Sequence, residues 1–348
     1  MKGERHVVTL HVGTPKSGTT SLQNILARNR SLLHEHGYLY PGRKPGHFIE
    51  ALDLRDSGFR GHRFEGSEGA WDRVVDEVLA HDGPAMLSHE VIGGSTAKVV
   101  KRAVKSFRRR DVHVVVTCRD LARQLPAVWQ EGVKNGDTAT YAAFLEKTLG
   151  EWKGVGTGTG MWRGQDLAGM GQRWATHVGP GNVHFVTVPP SGADHDVLWQ
   201  RFREATGLPE ADYAVPDTPR NPSMGTVETE LLRRVVERLP DDVPWPTFAR
   251  QVKRRLAQRR LVNHKAGGSL GVPTQFRPAA EEISTTVVDA LRTGGFTVHG
   301  DLADLTPAFR DDTTAPDEVT AEQLLDRALE VLAPLVLRDQ PEQRPAKD

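Results

Sequence analysis

Apolar and polar positions in the N-terminal part of the chain follow two different periods. Residues 5–13 (RHVVTLHVG) form a short run rich in β-branched residues, which is typical of a buried strand. In residues 17–37, Leu22, Ile25 and Leu26 recur at helical spacing, and the segment ends at a glycine. The chain therefore begins with a predicted strand, a glycine-bearing turn and a helix.

Strand-like and helix-like segments continue to alternate up to about residue 207. The predicted helices are 70–83, 96–110, 122–136 and 193–207, and the predicted strands are 84–90, 111–120 and 181–190. Pro126 is expected to bend the third of these helices or to shift its start. Alternating strands and helices are typical of a parallel sheet with right-handed crossovers. We therefore predict an α/β fold in which helices flank a central parallel sheet.

The pattern becomes mostly helical beyond about residue 215. Helices are predicted at 226–239 and 248–262, and a glycine-rich loop follows at 264–273. Residues 320–337 have the apolar spacing of one more helix, after which the chain is polar and contains proline. We expect one domain over residues 1–310, followed over 311–348 by a C-terminal helix and a disordered tail.

Composition and charge argue against several classes of protein. The 45 basic residues are balanced by 45 acidic ones, so no basic surplus favours a nucleic-acid partner. A single cysteine, Cys118, excludes an internal disulfide and a cysteine-based zinc site. No apolar run approaches the ~18 residues of a spanning helix, and the N-terminus does not read as a signal peptide. We expect a cytoplasmic protein without stable membrane insertion.

The turn after the first strand, HVGTPKSGTT (residues 11–20), is an altered version of a phosphate-binding loop. Gly13 and Gly18 keep the glycine spacing of a Walker A loop, but Thr19 stands where its lysine belongs. Lys16 instead lies inside the loop. Backbone N–H groups at the start of a helix attract anions, and hydroxyl side chains and a lysine strengthen such a site. The alternative is a simple strand-to-helix connection with a Ser/Thr cap.

The segment GTPKSGTTSLQ resembles the 5′-phosphosulfate loop of sulfotransferases that use 3′-phosphoadenosine-5′-phosphosulfate (PAPS), whose pattern is approximately P-K-[ST]-G-T-[ST]. The resemblance extends over roughly residues 5–305 and implies a P-loop-type α/β fold. It implies that Lys16 stabilises charge on the bridging oxygen as the sulfuryl group leaves. Because a lysine and a helix N-terminus can neutralise the leaving phosphate, no metal is expected. The loop residues that the resemblance assigns to the donor are Pro15, Lys16, Ser17, Gly18, Thr19, Thr20 and Ser21.

Two further family elements concern the nucleotide of the donor, whose product form is adenosine 3′,5′-bisphosphate (PAP). The family places an arginine at the end of a later strand and a serine eight residues on, both on the 3′-phosphate. Arg119 matches the arginine, whereas Ala127 stands at the serine position and cannot form that hydrogen bond. The candidates to take over the contact are Arg123, Trp129 and Gln130. A basic, glycine-containing loop near the C-terminus is matched by residues 259–273, with Lys265 as the candidate ligand.

The segment MLSHE (residues 86–90) supplies candidates for the general base. In the family, a histidine or glutamate just past an early strand takes the proton of the acceptor, and here Glu90 is the first choice and His89 the second. Each could instead be an ordinary residue at a helix start. His47 is a third candidate for contact with the acceptor, although a lone loop histidine is more often part of the surface.

The resulting hypothesis is a PAPS-dependent sulfotransferase that acts on a hydroxyl or amine of a small molecule or glycan. Loops 38–66 and 150–170 are expected to line the acceptor, whose identity and the oligomeric state the sequence leaves open. Three alternatives also stay open. They are an ATP-dependent small-molecule kinase, a sulfotransferase-like protein that binds a nucleotide without catalysis, and a scaffold without a nucleotide.

Overall fold

Five parallel strands form the central sheet of the computed structural model, which describes residues 5–194, 196–216, 223–262 and 268–336. The strands, in the spatial order β2-β1-β3-β4-β5, are β1 Val7–Gly13, β2 Ala85–Ser88, β3 Asp111–Cys118, β4 Val183–Thr187 and β5 Thr297–His299. The predicted α/β class and the central parallel sheet are confirmed. Because β2 lies on one side of β1 and β3 on the other, the strand order reverses between β1 and β3. Ligands of open α/β sheets bind at such a switch point, beyond the carboxyl ends of the strands.

Helices occupy most of the chain between and after the strands. They are α1 Thr19–Arg28, α2 Arg30–Glu35, α3 Phe48–Leu54, α4 Ala70–Ala80, α5 Ala97–Ser106, α6 Leu121–Lys134, α7 Tyr141–Gly150, α8 Trp162–Gln165, α9 Leu167–Val178, α10 Val197–Thr206, α11 Thr226–Val236, α12 Trp245–Phe248, a π-helix Ala249–Leu261, α13 Arg277–Thr293 and α14 Ala321–Val336. None of the described helices is long and apolar enough to cross a membrane.

The sheet packs helices against both of its faces. On one face, Val115 and Val186 join a buried cluster with Leu26 of α1 and Phe202 of α10. Side chains of neighbouring strand residues point to opposite faces, so Phe185 faces the other side. There α9 approaches so closely that a Cβ on Gly171 would lie 2.9 Å from Phe185.

Two compact units divide the chain. The first comprises Met1–Leu125, Glu146–Asn221 and Thr274–Ala308 and contains the whole sheet. The second comprises Pro126–Leu145, Pro222–Pro273 and Phe309–Asp348. Within the second unit, α14 packs against α11, and the buried Arg327 of α14 pairs with Glu228 of α11 at 3.0 Å. The expected boundary at residue 310 stays a prediction.

Several predicted elements differ in detail from the observed ones. The helix predicted over 17–37 is interrupted at Asn29, whose side-chain amide donates to the Ile25 carbonyl at 2.8 Å and whose Oδ1 accepts from the Ala214 N–H at 2.9 Å. Pro126 lies inside α6, which begins at Leu121. Helices α3, α7, α8, α9, α12 and α13 and strand β5 were not predicted. The tail over 337–348 lies outside the described residues.

Candidate active site

The loop between β1 and α1 has the backbone shape of an anion-binding turn. Gly13, Lys16 and Gly18 all have positive φ angles, of 107°, 70° and 88°. Such a φ is unusual for lysine and costs of the order of 1 kcal/mol, which the rest of the loop must offset. In the described part of the chain, the N–H groups of Gly18, Thr19 and Thr20 have no hydrogen-bond acceptor. They lie at the positive end of the α1 dipole, where an anion would accept from them.

A series of hydrogen-bonded, buried side chains connects this loop to the sheet. The Ser17 hydroxyl lies 2.5 Å from the Thr14 carbonyl and 2.6 Å from the Thr117 hydroxyl. The Thr117 hydroxyl is 3.3 Å from His11 Nε2, and His11 Nδ1 is 2.8 Å from the Ser88 hydroxyl. Burial lowers the pKa of His11 to about 3, so its ring is neutral. This series of hydrogen bonds connects the loop to β1, β2 and β3.

The predicted donor-binding residues of the loop therefore differ in their surroundings. Thr19 is buried, Thr20 is exposed, and Pro15, Lys16 and Ser21 are half-buried. The hydroxyl of Ser17 is fully buried and faces the sheet, where it supports the loop. Contact of these residues with a donor stays a prediction.

Glu90 lies against the loop because residue 13 is a glycine. A Cβ on Gly13 would stand 2.7 Å from the Cβ of Glu90, a distance that real side chains do not adopt. The Glu90 side chain is 23% exposed, and its carboxylate accepts from the side-chain amide of Gln23 at 3.4 Å. Gln23 also donates to the hydroxyl of Ser88 at 3.2 Å. A carboxylate with access to solvent is thus held beside the loop.

His89 is placed less favourably for the role of a base. Its Nδ1 accepts from the Val91 N–H at 3.2 Å, so the ring proton of the neutral side chain is on Nε2. Its ring packs against Phe48, and burial lowers its pKa. Both predicted base candidates are therefore at the end of β2, but only Glu90 directs its basic atoms to solvent and to Gln23.

His47 has a structural position. It is buried, its Nδ1 accepts from the Ser88 N–H at 3.0 Å, and its Nε2 lies 3.1 Å from the Pro41 carbonyl. Burial lowers its pKa to about 4. Both ring nitrogens are engaged, so this histidine joins the loop before α3 to the end of β2 rather than lying on the surface.

Arg119 follows β3, directly beside the loop after β1. Its guanidinium donates to the side-chain oxygen of Gln124 at 3.2 Å and to the Arg123 carbonyl at 2.7 Å. Gln124 in turn donates to the Pro15 carbonyl at 2.5 Å, which links Arg119 to the loop. Burial, and then the nearby cation of Arg123, lower the pKa of Arg119 to about 10. The side chain stays charged at neutral pH, in surroundings that favour an anion.

The carboxylate next to Arg119 in sequence is paired elsewhere. Asp120 forms an ion pair with Arg123 and caps the Arg123 N–H at 3.0 Å. Arg123 also donates to the carbonyls of Val188 and Pro189, at 3.3 and 2.9 Å. Within the described ranges, no carboxylate lies within ion-pair distance of Arg119. A simple Arg119–Asp120 surface salt bridge is therefore not what holds Arg119.

Two other candidates for contact with the nucleotide, Trp129 and Gln130, donate hydrogen bonds to backbone carbonyls of the protein itself. Trp129 donates to the Ala139 carbonyl at 3.0 Å, and Gln130 donates to the Met224 carbonyl at 3.0 Å. Lys265 lies outside the described residues. The bridging residues Gln23 and Gln124 were not identified from the sequence, since only the motifs themselves carried a signal.

Comparison with solved structures finds a similarity to a sulfotransferase from Alicyclobacillus acidocaldarius. It has 13% sequence identity and a TM-score of 0.41, and it covers 82% of this chain and 93% of that chain. No protein-family model matches the chain, and no curated protein sequence is similar to it. In the described part of the chain, no group of three or more His, Cys, Asp or Glu side chains is arranged to hold a metal ion.

Proposed function

We propose that this protein is a sulfotransferase that transfers a sulfuryl group from PAPS to a hydroxyl or amine. The observation that carries the proposal is the contact between Gly13 and Glu90. It sets a carboxylate against a left-handed anion loop that contains Lys16, at the switch point of the sheet. Anion binding and proton removal are the two tasks that such a transfer requires.

The residues present fit the anionic groups of the donor. The N–H groups at the start of α1 and the ammonium group of Lys16 would hold the 5′-phosphosulfate. Arg119, which has no carboxylate partner among the described residues, would hold the 3′-phosphate. Gln124 would keep these two subsites in register because it contacts both Arg119 and Pro15.

In the proposed transfer, one bond of the sulfuryl group breaks as another forms, and the acceptor loses a proton. The donor supplies an activated sulfuryl group, whose bond to the phosphate oxygen breaks as its bond to the acceptor oxygen or nitrogen forms, with release of PAP. Glu90 accepts the proton that the acceptor loses. Lys16 and the α1 dipole stabilise the negative charge that develops on the phosphate oxygen, in a loop that is already organised for it.

A kinase is a poorer fit to the same site. The residue at the Walker A lysine position, Thr19, is buried and uncharged. A magnesium ligand would be expected at the end of a neighbouring strand, yet the carboxylate of Asp120 is buried and paired with Arg123. Neither feature favours ATP as the donor.

Turnover of PAPS in the absence of an added acceptor tests the proposal. Water can then act as the acceptor, and the release of PAP is followed by chromatography. We expect the wild-type protein to release PAP faster than the Lys16→Ala variant. Equal rates at the level of the protein-free reaction would contradict catalysis and leave only binding.

A further inference from the structure

A cavity of about 610 Å³ opens next to the proposed site. It lies between the loop over 41–47, helix α3, residues 62–66 and helix α4. Its volume is in the range of pockets for small organic ligands, of roughly 300–1,000 Å³. The cavity falls within loop region 38–66, where the sequence predicts the acceptor.

The cavity wall and the proposed base share a neighbour. Gly46 lines the cavity, and a Cβ there would lie 2.8 Å from the side-chain amide of Gln23. That same amide donates to the carboxylate of Glu90. In addition, the carboxylates of Glu50 and Glu90 both contribute to a raised pKa of Tyr40, after the larger effect of burial. The side chain of Gln23 therefore connects the cavity wall to Glu90.

Part of the cavity wall is apolar and includes the ring of Phe64. Ile49 and Val74 contribute aliphatic surface, and Phe64 contributes a ring that is in edge-to-face contact with His62 at 4.8 Å. An aromatic ring and aliphatic groups pack well against the C–H face of a sugar or other saturated ring. The wall alone does not decide which polar groups the ligand carries.

Of the three carboxylates that line the cavity, Glu50 is half-buried, whereas Glu65 and Glu77 are exposed. The Glu50 side chain forms no hydrogen bond or ion pair with any residue that the structure describes. The cations at the rim, Arg43 and Lys44, are exposed to water, and Arg73 donates to the Gly66 carbonyl at 2.9 Å. A half-buried carboxylate without a partner gains most from a cation that enters with the ligand.

We infer that this cavity binds the acceptor and that the acceptor is an amine-bearing carbohydrate. The inference rests on the proposed sulfuryl transfer for its catalytic meaning, but not for binding itself. The ammonium group of the sugar pairs with Glu50, and the apolar face of the ring packs on Phe64. A neighbouring hydroxyl or amine is then presented toward Glu90.

Calorimetric titration with two matched sugars tests the inference. The probes are the β-1,4-linked disaccharide of glucosamine and its N-acetylated counterpart, which have the same rings but differ in the ammonium group. We expect the charged disaccharide to bind at least about 10-fold more tightly, which corresponds to one charge-assisted contact of about 1.4 kcal/mol. Glu50→Gln should remove that preference.

Controls separate this inference from the proposed function. Glu35→Gln changes an exposed carboxylate at the end of α2 and should leave the preference intact. PAP is titrated into the same Glu50→Gln sample, and its affinity should equal that of the wild type. Absence of sugar binding, or a preference that survives in Glu50→Gln, overturns the inference, whereas absence of PAP binding to the wild type overturns the proposed function alone.

Discussion

The loop after β1 and the cavity beside α3 differ in whether their polar side chains have partners. Below the loop, polar side chains from Thr14 to Ser88 are bonded to one another, and the Ser17 and Thr117 hydroxyls are only 2.6 Å apart. Beside α3, the half-buried carboxylate of Glu50 has no partner in the described part of the chain. The loop is thus organised before any ligand binds, whereas the cavity keeps a charged group available for one.

This difference is what a two-substrate transferase needs. A donor with fixed phosphates is held best by dipoles that do not have to reorganise during the reaction. An acceptor has to be selected, and a half-buried carboxylate without a partner discriminates between ligands that do and do not satisfy it. If the two regions are independent, a substitution in one should leave ligand binding by the other unchanged.

The largest effect is expected from Glu90→Gln. The amide keeps the shape of the carboxylate but cannot accept the acceptor's proton, so PAP release from PAPS should fall by about 10³-fold. PAP affinity should stay within about 2-fold of the wild type, since no donor contact is removed. His89→Gln is the matched variant, and a larger loss in that protein would transfer the role of base to His89.

Lys16→Ala should lower turnover at saturating PAPS by at least ~10²-fold, because it removes a charge that acts mainly on the transition state. Lys101→Ala, at an exposed position of α5, provides the control. If the two alanine variants turn over PAPS equally fast, Lys16 has no part in the chemistry.

Arg119→Ala should weaken PAP binding by roughly 10- to 100-fold, the range of one lost charge-assisted contact. The affinity for 5′-AMP should change little, since 5′-AMP has no 3′-phosphate. Arg28→Ala, at an exposed position in the last turn of α1, is the control. Equal losses for the two nucleotides would mean that Arg119 does not read the 3′-phosphate.

Gly13→Ala should reduce the free energy of unfolding by about 1–3 kcal/mol, because it combines a positive φ with a collision against Glu90. Gly37→Ala is a matched control, since Gly37 also has a positive φ but has no atom within 4 Å of the added Cβ. Chemical denaturation compares the two. If Gly13→Ala costs no more than Gly37→Ala, the close approach of Glu90 is not a constraint.

A gradual effect is expected on the pH dependence of stability. The pKa of His11 is lowered to about 3 and that of His47 to about 4, from 6.5. Between about pH 6.5 and 4, the unfolded chain binds protons that these buried rings do not, so stability falls as the pH falls. Each such histidine contributes a slope of up to about 1.4 kcal/mol per pH unit.

Denaturation at several pH values can isolate one of these contributions. In His47→Asn, the slope of the free energy of unfolding against pH, between pH 6 and pH 4, should decrease by up to about 1.4 kcal/mol per pH unit, which corresponds to one bound proton. The exposed His36→Asn should keep the slope of the wild type. An unchanged slope in His47→Asn would show that His47 is protonated in the folded protein.

Sequence periodicity located the strands that frame the site because they are short buried runs bounded by turns. β1 was predicted over 5–13 and is Val7–Gly13, and β3 was predicted over 111–120 and is Asp111–Cys118. The break at Asn29 was missed because the partner that holds it, Ala214, is remote in sequence. α9 was missed because its glycines weaken a helical pattern, although Gly171 is needed for close packing on the sheet.

The motif of the loop could be recognised, but the residues that position it could not. Gln23 and Glu90 are 67 residues apart, and Gln124 and Pro15 are 109 residues apart. Such pairs depend on the strand order, which local patterns do not specify. The same holds for Ser17, whose residue type fits a donor contact but whose hydroxyl is bonded to Thr117 of β3.

Calorimetric titration of the wild-type protein with PAP, beside 5′-AMP and ATP with magnesium, shows directly whether the site is built for a donor with a 3′-phosphate. It needs no knowledge of the acceptor. We expect micromolar binding of PAP, weaker binding of 5′-AMP and no measurable binding of ATP with magnesium. Binding of ATP without any preference for a 3′-phosphate, or no binding of any of the three nucleotides, would contradict the proposal that PAPS is the donor.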